Sequence, residues 1–507
     1  MNTYFNLADG VVIFAYLGGI IALGIWFGKD QRNTRDYFLG SRNTAWWVIG
    51  LSIVAAETSA LTIIGVPALA YGSDIAFIQM IIGYVIARLI LAVVMVPHYL
   101  KGEIYSPYQL FSDRLGASAR QTAGGFFLIS ETLAAGVRVY VVSIPIQLML
   151  GVGVLPAIVL FVGLSLIYTY VGGVKAVIWT DAVQFGLFLL GGLYALYYIP
   201  TLMDGGFAGV LKHAAEAGKL HWFNPEFGLH QPFNLWMGII GGTVLVLSSH
   251  GAEQLIVQRV LACQNVADGR KALVLSAALV FPLFLIFLFV GVMLWAFYQV
   301  HPFKIPLPEA RPGIKANDFI FPIFMMTEVP HVLKGFLIVA ILSAAMSSVS
   351  SALTSLSSVS TMDFVKGEHG KRSEDFYLKF SKRSTVVWAA ILILVAYLSR
   401  EVAFVMNAAF TLRGLTSGAL VGGLLLAVFW KSGRAGPVIT GMFAALVFMV
   451  GVSQFSWHVT VAGKVEAHKV FWPWFTLLGA VVTLMVAWLV NRLGNQLVCP
   501  FDPKPRP

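Results

Sequence analysis

Glu57, Arg88, Glu131, Arg138, Asp181, Glu253 and Arg413 each stand inside a long apolar run, with His250 beside Glu253. An ionised group in hydrocarbon is expensive, so such residues mark functional sites or partnered charges by default. Four acids and three bases point to mutual pairing or to cation sites inside a helix bundle. A voltage sensor would instead line up arginines of one sign.

A second chemical signal is a stretch of hydroxyls, Ser343-Ala344-Ala345-Met346-Ser347-Ser348-Val349-Ser350-Ser351-Ala352-Leu353-Thr354-Ser355. Ser347, Ser350, Ser351 and Thr354 recur at i, i+3, i+4 and i+7, which is one face of a helix. Close packing through small residues accounts for such a stretch. Gly and Ala would serve packing equally, however, without four more hydroxyls to satisfy. Hydroxyl and carbonyl oxygens are hard donors that suit an alkali cation, and Asp181, in Trp179-Thr180-Asp181, is the carboxylate that would balance its charge. Packing and ion binding both stand at this level.

Two apolar runs are interrupted. One reads Ala55-Ala56-Glu57-Thr58-Ser59-Ala60, followed by Gly65 and Pro67; the other reads Gly241-Gly242-Thr243, then Ser248-Ser249-His250-Gly251-Ala252-Glu253-Gln254. Unwound backbone is tolerated at membrane depth only where it lines a cavity or packs within protein. A single break is equally a glycine packing notch. A pair at corresponding positions of two halves points to an inverted-repeat transporter.

The elements that must carry these groups follow from composition. Of 507 residues, 58% are hydrophobic and 11% charged, with a mean hydropathy of +0.81. Soluble domains run near 25% charged, and a soluble fold of this size could not bury so much apolar surface. Soluble enzymes, disordered chains and disulfide scaffolds are therefore excluded. Thirteen runs of spanning length cover about 7–27, 46–70, 75–97, 122–149, 153–171, 179–200, 235–261, 272–299, 332–362, 384–399, 402–430, 435–454 and 471–491. The 402–430 run follows its predecessor so closely that a helical hairpin is expected there.

The net charge of +10 comes from Lys and Arg in short loops, which is a topology signal and not a nucleic-acid patch. It predicts the N-terminus outside and the C-terminus in the cytoplasm, with loops 28–45, 98–121, 172–178, 262–271, 363–383 and 431–434 inside. Asp9 and the absence of Lys or Arg before Lys29 make the first run a retained span and not a secretory signal. Cys263 and Cys499 are the two cysteines, both on the reducing side and expected as free thiols. The long outer loops, about 201–234 and 300–331, are expected as plain connectors or as short lid helices. The sequence contains no HExxH motif, its intramembrane acids are scattered, and only residues 492–507 follow the last run. An intramembrane enzyme or a fused signalling output is not expected.

At these residues the chain resembles the sodium/solute symporter family, which holds bacterial sugar, proline and sialic acid carriers and human glucose, iodide and monocarboxylate carriers. The stretches that carry the resemblance are Asp36-Tyr37-Phe38-Leu39-Gly40, Gly172 through Asp181, Glu253-Gln254-Leu255-Ile256-Val257-Gln258-Arg259, and Ser347 through Asp363. The resemblance implies an all-α polytopic fold of 13 transmembrane helices with a five-plus-five inverted repeat, as in amino-acid transporters. Residues 1–45 would form a leading helix and loop, 46–200 the first repeat half, 201–430 the second, and 431–507 two trailing helices and a tail. Core helix one is then 46–70 and core helix eight 332–362.

By the same resemblance, a first sodium ion would take backbone carbonyls of Ala55, Thr58 and Ala344 and hydroxyls of Ser347 and Ser348. A second would take Asp181 with Ser347, Ser350 and Ser351, giving two ions per cycle. Ser59, Thr62 and Gln79 fall where family members contact solute. Arg138 falls where sialic acid carriers place an arginine for the substrate carboxylate, a task that suits its permanently charged, bidentate fork. Glu131, seven residues earlier on the same face, is a competing partner for it, as Lys175 or Arg259 is for Asp181. Glu57 departs from the uncharged residue common at its position, so it either binds solute or titrates. The run Gly65-Val66-Pro67-Ala68 is similar to the iodide and monocarboxylate branch. The implied function is sodium-coupled import of a small organic solute across the inner (plasma) membrane. The solute is expected to bear a carboxylate, with a sodium- or proton-coupled carrier of a neutral sugar or amino acid as the alternative. The bilayer and the solute are the expected partners, with no nucleic acid and no obligatory protein partner.

Overall fold

In lipid every backbone polar group must be satisfied within the chain, so apolar runs of this length fold as helices. The computed structural model describes residues 4–497 except 29–30, 60, 231, 312–313, 368–369, 402–404, 432 and 462–463. Cys499 and Ala60 lie outside the described residues; Cys263 is a buried free thiol. The fold is mostly helical. Among the described residues nine helices are long and apolar enough to cross a membrane, and ten if one bent pair counts as a single span.

In chain order the main helices are α1 (Leu7–Phe27), α2 (Trp46–Glu57), α3 (Val66–Gly72), α4 (Ile78–Val94), α5 (Ala117–Leu150), α6 (Val154–Thr201) and α7 (Thr243–Gly251). They continue with α8 (Gln254–Leu261), α9 (Val266–Val300), α10 (Leu333–Val359), α11 (Glu374–Leu398), α12 (Val405–Phe429), α13 (Ala435–Gln454) and α14 (Phe475–Leu497).

Two departures from the sequence reading have physical causes, and one of its two alternatives for the long loops is realised. The expected loop at 172–178 is helical but for one position, Gly173, whose backbone (φ 54, ψ −157) breaks α6 into two helices that meet at a kink. Only glycine fits there, because a Cβ would lie 2.5 Å from the Tyr37 carbonyl oxygen. The long loops contain short helices, Gly206–Glu216 and Ile320–Thr327. The chain is also not purely helical. Two antiparallel hairpins, Glu309–Arg311 with Ile314–Lys315 and Ser456–Val461 with Lys464–Lys469, lie between spans. The second follows an alternation of polar and apolar residues too short to register against the spans around it.

α10 forms the centre. Every residue from Leu337 to Val359 is buried, and its most extensive partner is α6. α1 lies at the periphery against α6 and α10, burying only Asp9, Ile13, Ile20 and Gly24.

Candidate functional site

Both interrupted runs are broken helices. α2 stops at Glu57; Thr58 leaves the helix (φ −80, ψ 93), a widened turn follows at Leu61–Gly65, and α3 resumes bent by 59°. In the other run a widened turn at Met237–Gly242 leads into α7, which ends at Gly251. Glu253 is extended (φ −103, ψ 131) before α8 begins. Small and polar residues at each break weaken the helix at a defined point.

The first break meets α10. The Ser347 hydroxyl lies 3.1 Å from the Ala55 carbonyl oxygen and 3.0 Å from that of Ala344, and the Ser348 hydroxyl lies 3.0 Å from the Ala344 oxygen. Thr58, one turn after Ala55, is buried, and its hydroxyl has no hydrogen-bond partner among the described residues. Two carbonyls and two hydroxyls from two helices, beside an unpartnered hydroxyl, form a hard-oxygen donor set of the kind alkali cations take.

The second expected ion position is tied to a resident cation. Asp181 Oδ2 accepts from Ser52 Oγ at 2.6 Å and from Arg259 at 2.7 Å. Arg259 also donates to Ser52 Oγ at 2.8 Å, to the Leu255 carbonyl at 2.5 Å, and to the Ser351 hydroxyl. Arg259, a competing partner expected for Asp181, is fully buried. The other carboxylate oxygen, Asp181 Oδ1, is buried with no hydrogen-bond partner among the described residues. Ser351 is thus brought to Asp181 through Arg259, while the Ser350 hydroxyl bonds back to the Ser347 carbonyl at 3.1 Å.

Between the two breaks lies a cavity of about 70 Å³ lined by Glu57, Ser59, Thr62, Arg138, His250 and Arg413 among the rings of Phe77, Tyr84, Phe284 and Phe410. Four of the five expected solute-contacting residues are therefore brought together. Gln79 is the exception: its side chain is fully buried, accepting from the Asn224 backbone at 3.2 Å and donating to the Ala76 carbonyl at 3.3 Å. Sequence reasoning had not placed His250, Arg413 or the four rings in the site. The charge of Arg413 inside an apolar run was the one signal that could have done so. A narrower gap adjoins, lined by Ser59 and Arg138 on one side and Ala345 and Ser348 on the other. Arg138 therefore borders both the cavity and the hydroxyl cluster.

Each charge at the cavity has a partner of opposite sign. Arg88 contacts Glu57, lies 3.1 Å from His250 Nε2, and donates to the Tyr84 carbonyl at 2.9 Å. Arg138 donates to Glu131 at 2.5 Å and to the Ala134 carbonyl at 3.2 Å. Arg413 grips Glu253 with two donors, one at 3.0 Å, the bidentate geometry that planar guanidinium favours. Buried charges survive on these terms because each pair stays hydrogen-bonded. A further pair, Arg120 with Asp363 at 2.7 Å, is buried in a region expected to be loop.

The long loop before α7 clasps the break from the other side. Lys219 donates to the carbonyls of Tyr71 and Ser73 at 2.7 Å each, at the end of α3. Burial lowers the pKa of its ammonium, and Asp74 partly offsets this.

Comparison with known proteins agrees with this architecture. The chain is 29% identical over 451 residues to the sodium/sialic acid symporter SiaT of Proteus mirabilis, covering 87% of this chain and 89% of that protein. It is 26% identical over 455 residues to human sodium-coupled monocarboxylate transporter 1, covering 88% of this chain and 74% of that one. A solved structure of a Na+-coupled sialic acid symporter, substrate-bound and outward-open, superposes with a TM-score of 0.84 at 25% identity, covering 96% of this chain and 98% of that one. The profile of the Sodium:solute symporter family matches residues 37–445. The chain belongs to that family: it is a membrane transporter that couples movement of a solute to sodium, and not an enzyme.

Proposed function

We propose that this protein imports a small carboxylate-bearing solute by alternating access, with two sodium ions per cycle. One sodium is assigned to the carbonyls of Ala55, Thr58 and Ala344 with the hydroxyls of Ser347 and Ser348. The other is assigned to Asp181, Ser347, Ser350 and Ser351. Solute is assigned to the cavity at Glu57, Ser59, Thr62 and Arg138. Gln79 acts through the loop it holds and not by direct contact.

The observation that carries the reading is the position of Arg138, which lines the cavity and the gap leading to Ser348. A carboxylate drawn to Arg138 lies beside the hydroxyls that take the cation, so each ligand offsets the charge of the other. The relatives described above are named for sialic acid and monocarboxylate, both anionic solutes. Sodium holds the first break against α10, and the completed site is the arrangement that rocks to the opposite face. Each charge moving down 100 mV supplies about 2.3 kcal/mol, and a tenfold sodium gradient adds about 1.4 kcal/mol. Two ions then sustain accumulation on the order of 10⁵-fold for a neutral solute and roughly fiftyfold less for a monoanion.

The topology assigned with this function has 13 spans, the N-terminus outside and the C-terminus in the cytoplasm of an inner (plasma) membrane protein. Segment 1–45 leads, 46–200 and 201–430 form the inverted halves, and 431–507 trails. No nucleic acid or obligatory protein partner is assigned.

One observation favours a second reading. Arg138 is already bound to Glu131, and the cavity's acids and bases balance, which suits a neutral sugar or amino acid carried with sodium or, through Glu57, a proton. A thermal-shift screen of purified protein against sialic acids, monocarboxylates, sugars and amino acids, with and without sodium, separates the two. Sodium-dependent stabilisation by carboxylates that is lost in Arg138→Ala is expected. Stabilisation by neutral solutes alone, or unchanged by that substitution, overturns the carboxylate reading.

A further inference from the structure

A second cavity lies away from the solute path, between α1, the facing ends of α5 and α6, and α10. Its volume is about 430 Å³, within the roughly 300–1,000 Å³ range of pockets that hold small organic ligands. Ile13 and Leu17 of α1, Phe161 of α6, and Leu342 and Met346 of α10 line it. Among the described lining residues the one polar side chain is that of Asn6, whose oxygen is engaged 3.0 Å from the Asp9 amide as the cap of α1. Water needs two to four polar partners to occupy a cavity, so a lining of this kind stays dry. At Gly18 an added Cβ would meet nothing within 4 Å.

The cavity opens on hydrocarbon. Phe14 (73% exposed), Leu150 and Leu160 (45% each) belong both to its lining and to the outer apolar surface. In a membrane protein that surface faces lipid, so the mouth is continuous with the bilayer. We propose that this cavity is a binding site for one acyl chain of a bilayer phospholipid, which enters beside α1 and rests against α10. Acyl chains make up the hydrocarbon at that depth and are apolar and narrow enough to enter between helices. Met346 forms its inner wall and accepts the Tyr168 hydroxyl through its carbonyl at 3.0 Å. It also immediately precedes Ser347. Met346 and Ser350 stand at i, i+4, so the acyl chain rests on the flank of α10 beside the hydroxyl cluster.

The test uses full-length protein exchanged from mild detergent into amphipol, with dioleoyl phosphatidylglycerol as the probe. Native mass spectrometry of wild type is expected to show one retained phospholipid, and adding the probe to delipidated protein is expected to raise its melting temperature. Gly18→Leu places a side chain in the open volume and is expected to lose both the retained lipid and the response. Gly18→Ala, too small to fill the cavity, is expected to keep both. Wild type without a retained lipid or a response overturns the proposal, and that arm requires no variant. So does Gly18→Leu that behaves as wild type. A wild-type dimer crosslinked through α1 that Gly18→Leu converts to monomer would assign the groove to a second copy and also overturn it. None of these readouts depends on which solute is carried.

Discussion

Arg259 and Asp181 form a fully buried ion pair, 2.7 Å apart, although the two residues come from different helices and are 78 positions apart in the chain. Ser52 of α2 and Ser351 of α10 bond to the same guanidinium, so one node joins the first half of one broken helix, the second half of the other, and the two central helices. The pair already supplies one positive charge to the carboxylate. The remaining oxygen of Asp181 has no hydrogen-bond partner among the described residues, and the proposed second ion is assigned to it.

Asp181→Asn tests that ion. The sodium dependence of uptake is expected to fall from a Hill coefficient of about 2 toward 1. Leaving Arg259 buried without its partner is expected to cost about 3–5 kcal/mol of stability. Folded variant that keeps the wild-type charge-to-solute ratio in reversal-potential measurements would remove the second sodium from the mechanism.

Ser347→Ala tests the first ion together with the second, since its hydroxyl is assigned to both. The hydroxyl spans α2 and α10 through Ala55 and Ala344, so its loss is expected to raise the sodium concentration for half-maximal uptake about tenfold, equivalent to about 1.4 kcal/mol. Sodium titration of uptake in proteoliposomes reads this directly. An unchanged titration curve would place the ion elsewhere.

Arg138→Lys keeps the charge and removes the planar fork. Carboxylate uptake is expected to drop at least about tenfold, because a bidentate partner is not replaced by a point charge. Equal loss for neutral and carboxylate solutes would show that the residue serves the helix through Glu131 and not the solute.

Val332 is strained. It is a β-branched residue at φ 72, ψ −53 just before α10, and its amide is held by Asp9 Oδ1 at 2.8 Å. Such backbone costs about 1–3 kcal/mol, while glycine adds about 0.5–1 kcal/mol of unfolded-state entropy. Val332→Gly is therefore expected to stabilise by about 1 kcal/mol. A lowered melting temperature would mean that the half-exposed side chain contributes more by packing than its backbone costs.

Gly173→Ala acts in the opposite sense. Both the backbone conformation and the approach of the Tyr37 carbonyl exclude a Cβ, and a loss of about 3 kcal/mol is expected. Thermal unfolding measures it. A neutral result would show that the kink can relax.

Much was legible in the residues themselves, because lipid leaves a chain few choices. Apolar runs had to become helices, and charges within them had to find partners or ligands. The small polar stretches at Ala55–Ser59 and Gly251–Gln254 had to weaken their helices where they fell. The hydroxyl periodicity of Ser347, Ser350, Ser351 and Thr354 identified the face of α10 before its neighbours were known. The Arg138–Glu131 contact lies within α5 and was legible from its spacing, whereas which groups meet across helices was not, since that pairing depends on helices distant in sequence. On spacing alone Lys175 and Arg259 were both open to Asp181; packing of α8 against α2 and α10 decided for Arg259. Gln79 has a residue type suited to solute, yet the fold turns it toward Asn224. Periodicity is local, set by one helix's own geometry. The cavity, the ion pairs between helices and the lipid-facing pocket arise from helix packing, which only the tertiary structure determines.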